Sequence, residues 1–372
     1  MKMVVFGLTI SSSWGNGHAT LWRGLCKSLA KRGHDVIFFE RDQPWYSSAR
    51  DFTAMPGNGR LIVYSGWADV LVREAREELA NADVAMVTSF CPDGVAATDL
   101  VCESRARKVF YDLDAPVTLE QLRAGVAVPW VGPRKYRDFD LVLSFTGGST
   151  LDELRRELDA KQVAPLYGSV DPELHRPVPR EARFQGALSY LGTWSADRDR
   201  ALNLRFVAAA ARLPDQRFVL GGSKYDGSFP WLPNIFFLSH IAPADHAAFF
   251  CSSRLTLNVT REPMASRGYC PSGRLFEAAA CGVPIMSDGW QGLEQFYAPG
   301  SEILVAESTD EAVAYIQSSP EFLAGIGCAA RDRTLACHTC DVRAAELERL
   351  LETGAHAPKS GAAVGAELAC GA

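Results

Sequence analysis

What the 372-residue chain lacks narrows its class before any motif is read. No stretch holds 18 consecutive apolar residues, so no membrane-spanning helix is expected. The opening Met1-Lys2-Met3-Val4-Val5-Phe6-Gly7 lacks the long apolar region and small-residue cleavage site of a secretory signal, which makes a cytoplasmic chain the expectation. No segment carries a stripe of Lys or Arg, and 38 basic against 44 acidic residues leave a net charge of -6. An acidic surface repels phosphate backbones, so neither nucleic acid nor an anionic membrane is expected as a partner. A disulfide framework is missing too: ten cysteines are scattered through the chain, several inside apolar runs, as reduced buried thiols would be. Cys337-His338-Thr339-Cys340 has the spacing of a metal or redox pair. No second cysteine pair follows it, however, and a Leu/Glu/Arg-rich helix does, so no metal is expected there.

What is present reads as an ordinary folded protein, 47% hydrophobic and 22% charged. The length exceeds the roughly 250–300 residues at which single cores stop growing, so two domains are expected. Short β-rich runs at 3–10, 35–40, 61–64, 84–88, 108–111 and 141–145 alternate with helix-compatible segments. The alternation implies parallel strands joined by crossover helices. Prolines thicken and periodicity vanishes around Tyr167-Gly168-Ser169-Val170-Asp171-Pro172 and on to Pro179, which reads as a boundary. The pattern then restarts, with strands expected at 188–191, 218–220, 235–238, 255–259, 283–286 and 303–305 and helices at 198–212 and 275–280. The expected fold is α/β, with two Rossmann-like parallel-sheet domains facing across a cleft. The domains are placed at 1–168 and 184–335, with a linker at 169–183, a C-terminal helix at 336–353 and a disordered Gly/Ala-rich tail at 354–372.

In such folds ligands bind beyond the carboxyl ends of the strands, where helix N-termini offer free N–H groups and a positive dipole end. The first such loop runs from Ser11 to Thr20. Its Trp14, Gly15 and Gly17 are candidate cleft residues, and His18, at the mouth of the next helix, is a candidate general base. The alternative for His18 is a capping or structural role. A rival reading takes Gly15 and Gly17 as a dinucleotide fingerprint with Glu40 as its ribose acid; Thr20, where a third small residue belongs, and the length of the loop count against it. Tyr111-Asp112-Leu113-Asp114 brings two carboxylates and Thr118 to the same edge. Asp114 is either a functional partner of His18 or an N-cap.

The second half holds Pro271-Ser272-Gly273-Arg274-Leu275-Phe276-Glu277, followed by Ala278-Ala279-Ala280-Cys281-Gly282-Val283-Pro284. Ser272 and Gly273 open a helix whose amides can hold a phosphate, Arg274 adds a charged fork, and Glu277 can accept two ribose hydroxyls. The plainer reading is a capped amphipathic helix with Arg274 and Glu277 paired on its solvent face.

The run from Glu277 to Pro284 resembles the donor-nucleotide motif of two-domain glycosyltransferases of the GT-B fold. Together with Gly15-Asn16-Gly17-His18-Ala19-Thr20, Arg32-Gly33-His34-Asp35-Val36 and Tyr190-Leu191-Gly192-Thr193-Trp194, it looks most like the spore-maturation CgeB-type branch, over roughly residues 1–350. The resemblance implies a nucleotide-sugar-dependent enzyme of the hexosyltransferase type, with the acceptor bound by the N-terminal domain and a nucleoside diphosphate sugar by the C-terminal one. Glu277 would hold the ribose, Gly192, Thr193 and Gly222 would lie near the diphosphate, and His240-Ile241 would contact the base. Many retaining members carry a further glutamate where this chain has Tyr269, so their mechanism is not carried over. No Asp-x-Asp motif suggests an ion on the diphosphate, since Asp112-Leu113-Asp114 lies in the acceptor half. No cofactor and no metal are therefore expected, with Arg274, helix N–H groups and Lys224 stabilising the leaving group. The competing functions are a sugar-nucleotide epimerase on the same fold and a non-catalytic sugar-nucleotide-binding module. Asn258-Val259-Thr260 fits a glycosylation sequon but falls in an expected core strand. Trp14, Trp45, Trp130 and Trp290 are candidates for stacking on a sugar or for simple packing.

Overall fold

Every strand pairing in the computed structural model, which describes residues 1–353, is parallel. The tail expected at 354–372 lies outside the described residues. The first sheet contains β1 (Lys2–Gly7), β2 (Asp35–Arg41), β3 (Arg60–Tyr64), β4 (Val84–Thr88), β5 (Arg107–Asp112), β6 (Leu141–Ser144) and β7 (Val163–Pro165). The second contains β8 (Gly186–Leu191), β9 (Phe218–Gly221), β10 (Ile235–Leu238), β11 (Ser253–Asn258), β12 (Ile285–Ser287) and β13 (Leu304–Val305). Their strand orders are β3-β2-β1-β4-β5-β6-β7 and β10-β9-β8-β11-β12-β13. Both are doubly wound, so each sheet reverses direction once, between β1 and β4 in the first and between β8 and β11 in the second. The crevice beyond the carboxyl ends at such a reversal is where open α/β sheets bind ligands.

The local sequence explains these elements. Met3 to Phe6 and all of Val84–Thr88 are buried, as expected of central strands covered by helices on both faces. Separate apolar clusters lie on the two sides of each sheet, around Phe6, Phe39 and Phe110 and around Met3, Trp22 and Tyr111 in the first. In the second they gather around Phe249, Phe276 and Tyr297 and around Tyr190, Phe206 and Leu257. The helix Gly17–Lys31 starts where the Asn16 side chain accepts from the His18 N–H, and the chain leaves it through Gly33 at φ 80°.

Two departures from the sequence reading have local causes. The short edge strand β7 is absent from that reading because Val163-Ala164-Pro165 is too brief to show alternation. The helix expected at 198–212 is interrupted by a π segment at Asn203–Val207, within which Arg205 is buried and donates from Nε to the Ala306 carbonyl at 2.6 Å.

The last described helix, Cys340–Thr353, crosses back onto the first sheet's side and packs on the helix Gly17–Lys31. A Cβ on Gly24 would lie 2.3 Å from Cys340 Sγ, so only glycine allows this approach. Leu347 and Leu351 are buried there, each contributing about 1.5–3 kcal/mol. Glu348 pairs with Arg32 and His34 at the rim.

Candidate functional site

A cleft of about 610 Å³ opens between the two reversal points, lined from one side by Ser13, residues 15–18, Thr20, Leu21, Phe90 and Asp114 and from the other by loops after β8, β9, β10 and β11 and by the helix start at Gly273. On the N-terminal wall Glu40 holds the first loop in place. Its fully buried carboxylate accepts from the Ile10 and Ser11 N–H groups, at 2.8 and 2.9 Å, and from the Ser11 hydroxyl. The dinucleotide reading therefore loses its ribose acid, because Glu40 faces the backbone of its own loop.

His18 Nε2 lies 3.4 Å from Asp114 Oδ2, both side chains reaching the cleft, while His18 Nδ1 is buried without a partner. Asp114 occupies the N-cap position of the helix Ala115–Arg123 but makes no side-chain capping bond, so its carboxylate is free for His18. Asp112 does not share this edge, contrary to the sequence reading. It is fully buried, accepting from the Tyr136 hydroxyl at 2.9 Å and the Thr118 hydroxyl at 3.1 Å, and burial pushes its carboxyl up to about 6. Thr118 is buried with it. Asp112 is the last residue of β5, whereas Asp114 lies beyond the strand at the N-cap of the helix Ala115–Arg123, so the turn between them buries one aspartate and leaves the other at the cleft.

Gly15 and Gly17 line the cleft, but Trp14 does not; it sits exposed at the tip of the loop. Trp45 is also exposed, and Trp130 and Trp290 are packed in the interior.

On the C-terminal wall Gly192, Thr193, Gly222, Lys224, His240, Ile241, Ser272, Gly273, Arg274 and Glu277 all line the cleft. A Cβ on Gly222, at φ 149°, would lie 2.0 Å from the Gly192 carbonyl oxygen, so two loop backbones close on each other only because this residue is glycine. Ser272 caps the helix Gly273–Ala280 through the Arg274 N–H. His240 is exposed, whereas Ile241 is buried and belongs to the core under the cleft. Among the described residues no ion pair joins Arg274 to Glu277, so the solvent-face pair does not form. Arg274 lies over the Tyr190 ring at 5.7 Å with Nη1 buried and unpartnered, and Glu277 turns toward His246, Oε2 lying 3.8 Å from Nδ1.

Arg198, Arg261 and Ser223 are among the cleft residues that the sequence reading missed. Arg198 follows β8 and Arg261 follows β11, so both stand at the second reversal point, and that placement was the available signal. Burial lowers the Arg198 pKa, and the neighbouring Arg274 and Arg261 charges lower it further. Three guanidinium groups thus crowd one spot beside the opening of the helix at Gly273, an arrangement that an anion would relieve. A second Asp-x-Asp stretch, Asp197-Arg198-Asp199, also escaped notice. Its carboxylates do not converge: Asp197 accepts from Ser195 and Arg261, and Asp199 from Asn203.

With this geometry established, known proteins supply the comparison. Residues 198–349 match the family model described as glycosyl transferase-like. Among curated proteins none matches the chain by sequence. The sucrose-phosphate synthase of Thermosynechococcus elongatus superposes with a TM-score of 0.70 at 16% identity, covering 95% of this chain and 99% of that one. HepE of Anabaena, solved with UDP and glucose, superposes at 0.69 and 14% identity, covering 95% and 100%. An alpha-glucosyltransferase solved with UDP and a 13-mer DNA superposes at 0.67 and 12% identity, covering 95% and 99%. The chain has the two-sheet GT-B fold, and its C-terminal half carries a glycosyl transferase-like region. No helix among the described residues is long and apolar enough to cross a membrane.

Proposed function

We propose that the protein is a glycosyltransferase that takes a sugar from a nucleoside diphosphate sugar, with UDP the nucleotide to test first, and passes it to an acceptor hydroxyl. The observation that carries this reading is the convergence of Arg198, Arg261 and Arg274 beside the N-terminus of the helix at Gly273. These groups are preorganised for two phosphates and for the charge that builds on them as the sugar departs. UDP is favoured because HepE and the alpha-glucosyltransferase were solved with it. The three guanidiniums and Lys224 supply the countercharge, so transfer proceeds without a metal on the diphosphate. Glu277 accepts the ribose hydroxyls, and His240 with the Ile241 backbone borders the base.

Across the cleft, His18 Nε2 and Asp114 Oδ2 are 3.4 Å apart, which leaves space for an acceptor hydroxyl to bind both. Because Nδ1 is sealed, Nε2 takes the proton as Asp114 orients the hydroxyl. The motif residues favour a CgeB-type member working in the cytoplasm, and the acidic balance favours an acceptor other than nucleic acid.

The test is a thermal-shift and turnover screen against UDP-, GDP-, TDP- and CMP-linked sugars, with NAD alongside. Stabilisation by one nucleotide sugar is expected. Glu277→Ala should weaken it by about 10- to 150-fold in Kd, the loss of one or two charge-assisted hydrogen bonds. Stabilisation by NAD alone would refute the proposal, and a product formed without acceptor would instead indicate an epimerase.

A further inference from the structure

At Glu277, on the C-terminal wall of the cleft, two histidines from distant parts of the chain come together. His175 belongs to the segment between the sheets, which Lys27 anchors to the first domain through Asp171 and Glu173. His246 opens the helix His246–Ser252, and Glu277 lies within the helix Gly273–Ala280. One ligand atom from each of the three side chains lies within 4.8 Å of the others, and the two imidazole centroids are 5.9 Å apart.

The hydrogen bonding around this cluster is unbalanced. His246 Nε2 lies 3.2 Å from the Ile241 carbonyl, which can only accept, so Nε2 carries the proton. Nδ1 then points a bare lone pair at the Glu277 carboxylate 3.8 Å away. His175 is 3% exposed, and both of its ring nitrogens are buried without a partner. Buried polar atoms in native proteins are rarely left this way, and such exceptions call for a missing partner. A single proton between His246 and Glu277 would leave both His175 nitrogens unsatisfied. A cation accepting lone pairs from all three residues engages His246 Nδ1, one His175 nitrogen and the Glu277 carboxylate together, and leaves the other His175 nitrogen as an N–H.

We propose that His175, His246 and Glu277 form a divalent transition-metal site of the zinc class, two imidazoles and one carboxylate, with a fourth position for water or another oxygen. In a tetrahedral zinc site bonds of about 2.0–2.1 Å place ligand atoms roughly 3.3 Å apart, so the observed spacing closes with small side-chain movements. The His246 Nε2 bond to a backbone carbonyl is the outer hydrogen bond that fixes a metal-binding histidine in the correct tautomer. Such a metal would tie the inter-sheet segment to the donor half at Glu277. It is separate from the diphosphate and shares only Glu277 with the proposed donor site, Oε2 facing His246 while Oε1 is left for the ribose hydroxyls, so its test rests on the two histidines. It departs from the expectation of a metal-free protein. Sequence spacing could not reveal it, since the three residues are dispersed along the chain.

The test uses the full chain, stripped with a chelator, dialysed and titrated with Co²⁺ as a spectroscopic probe and with Zn²⁺ followed by elemental analysis. One equivalent of metal and the visible bands of four-coordinate cobalt are expected. His175→Phe, which keeps the buried volume, and His246→Phe should each weaken binding by at least about tenfold, whereas Cys337→Ser/Cys340→Ser should not. Absence of stoichiometric binding would overturn the proposal, as would equal binding by His175→Phe in a chain whose circular dichroism shows it folded. A UDP melting shift on the stripped protein tests the nucleotide site separately, so either reading can fail alone.

Discussion

Replacing Asp112 by Asn should make the protein less sensitive to rising pH. The Asp112 carboxyl is fully buried at the end of β5, and burial holds its folded pKa at about 6 against an ordinary 3.8. Its hydrogen bonds from Tyr136, Thr118 and the Asp114 N–H pull the other way without cancelling the desolvation. A carboxyl whose pKa is raised by folding binds more protons in the native state than in the unfolded one. Its favourable contribution is therefore fully present below about pH 4 and is lost as pH rises through about 6. At ~1.4 kcal/mol per pH unit the window from 3.8 to about 6 amounts to a loss of about 3 kcal/mol. Asn preserves the shape, keeps an acceptor for Thr118 and the Asp114 N–H, and does not titrate. Urea unfolding of both proteins at several pH values between about 4.5 and 7.5 gives the difference in stability. Other groups titrate here too, including His246, whose pKa burial lowers, but they cancel in the subtraction. The variant should gain on the wild type by about 2 kcal/mol from the low end to the high end, since the range starts above the ordinary 3.8. A difference that stays flat over that range would refute the reasoning.

Three further perturbations probe other parts of the molecule. His18→Ala should lower kcat by roughly 10²- to 10⁴-fold, as loss of a general base does, while UDP-sugar affinity measured by calorimetry stays within about twofold; a comparable loss of affinity would place His18 in donor binding instead. Gly327→Ala should destabilise by about 1–3 kcal/mol in thermal unfolding, because a Cβ there would meet the Gly282 carbonyl oxygen at 2.4 Å, a backbone atom that cannot swing aside. Cys251 is half-buried, and the neighbouring Cys281 side chain lowers its thiol pKa below the ordinary value. Its alkylation, followed by mass spectrometry, should set in at lower pH than for an unperturbed thiol, and Cys281→Ala should move the onset upward.

The sheets were legible in the sequence because parallel strands buried on both faces leave continuous apolar runs. Val84–Thr88 falls where its run places it, as does the edge strand Ile235–Leu238 despite its exposed Phe236 and Phe237, and the other expected strands shift by up to three residues at their ends. The misses concern features without a periodic signature. Val163–Pro165 is too short to register, and the π segment at Asn203–Val207 follows from where Arg205 finds its acceptor across the fold. The candidate site divides along the same line. Ser272, Gly273, Arg274 and Glu277 share one helix start and could be read from local chemistry, but Arg198 and Arg261 join Arg274 only through the strand order of the second sheet.

That difference bears on the chemistry. Of the three Asp-x-Asp stretches in the chain, Asp112-Leu113-Asp114 and Asp197-Arg198-Asp199 reach the walls of the cleft, and their spacing alone invites a metal-assisted diphosphate. In the fold Asp112 is sealed beneath Tyr136, Asp197 is held by Arg261 and Asp199 by Asn203, so neither stretch offers two free carboxylates to one ion. In the proposed reaction countercharge would come instead from arginines at both sides of the second sheet's reversal, with Arg274 on the helix that opens beside them. A guanidinium stays protonated throughout the physiological range and grips phosphate oxygens in pairs, which an aspartate-held cation would otherwise do. The same strand reversal that creates the crevice therefore also brings together the charge that the proposed reaction would use to stabilise a departing diphosphate.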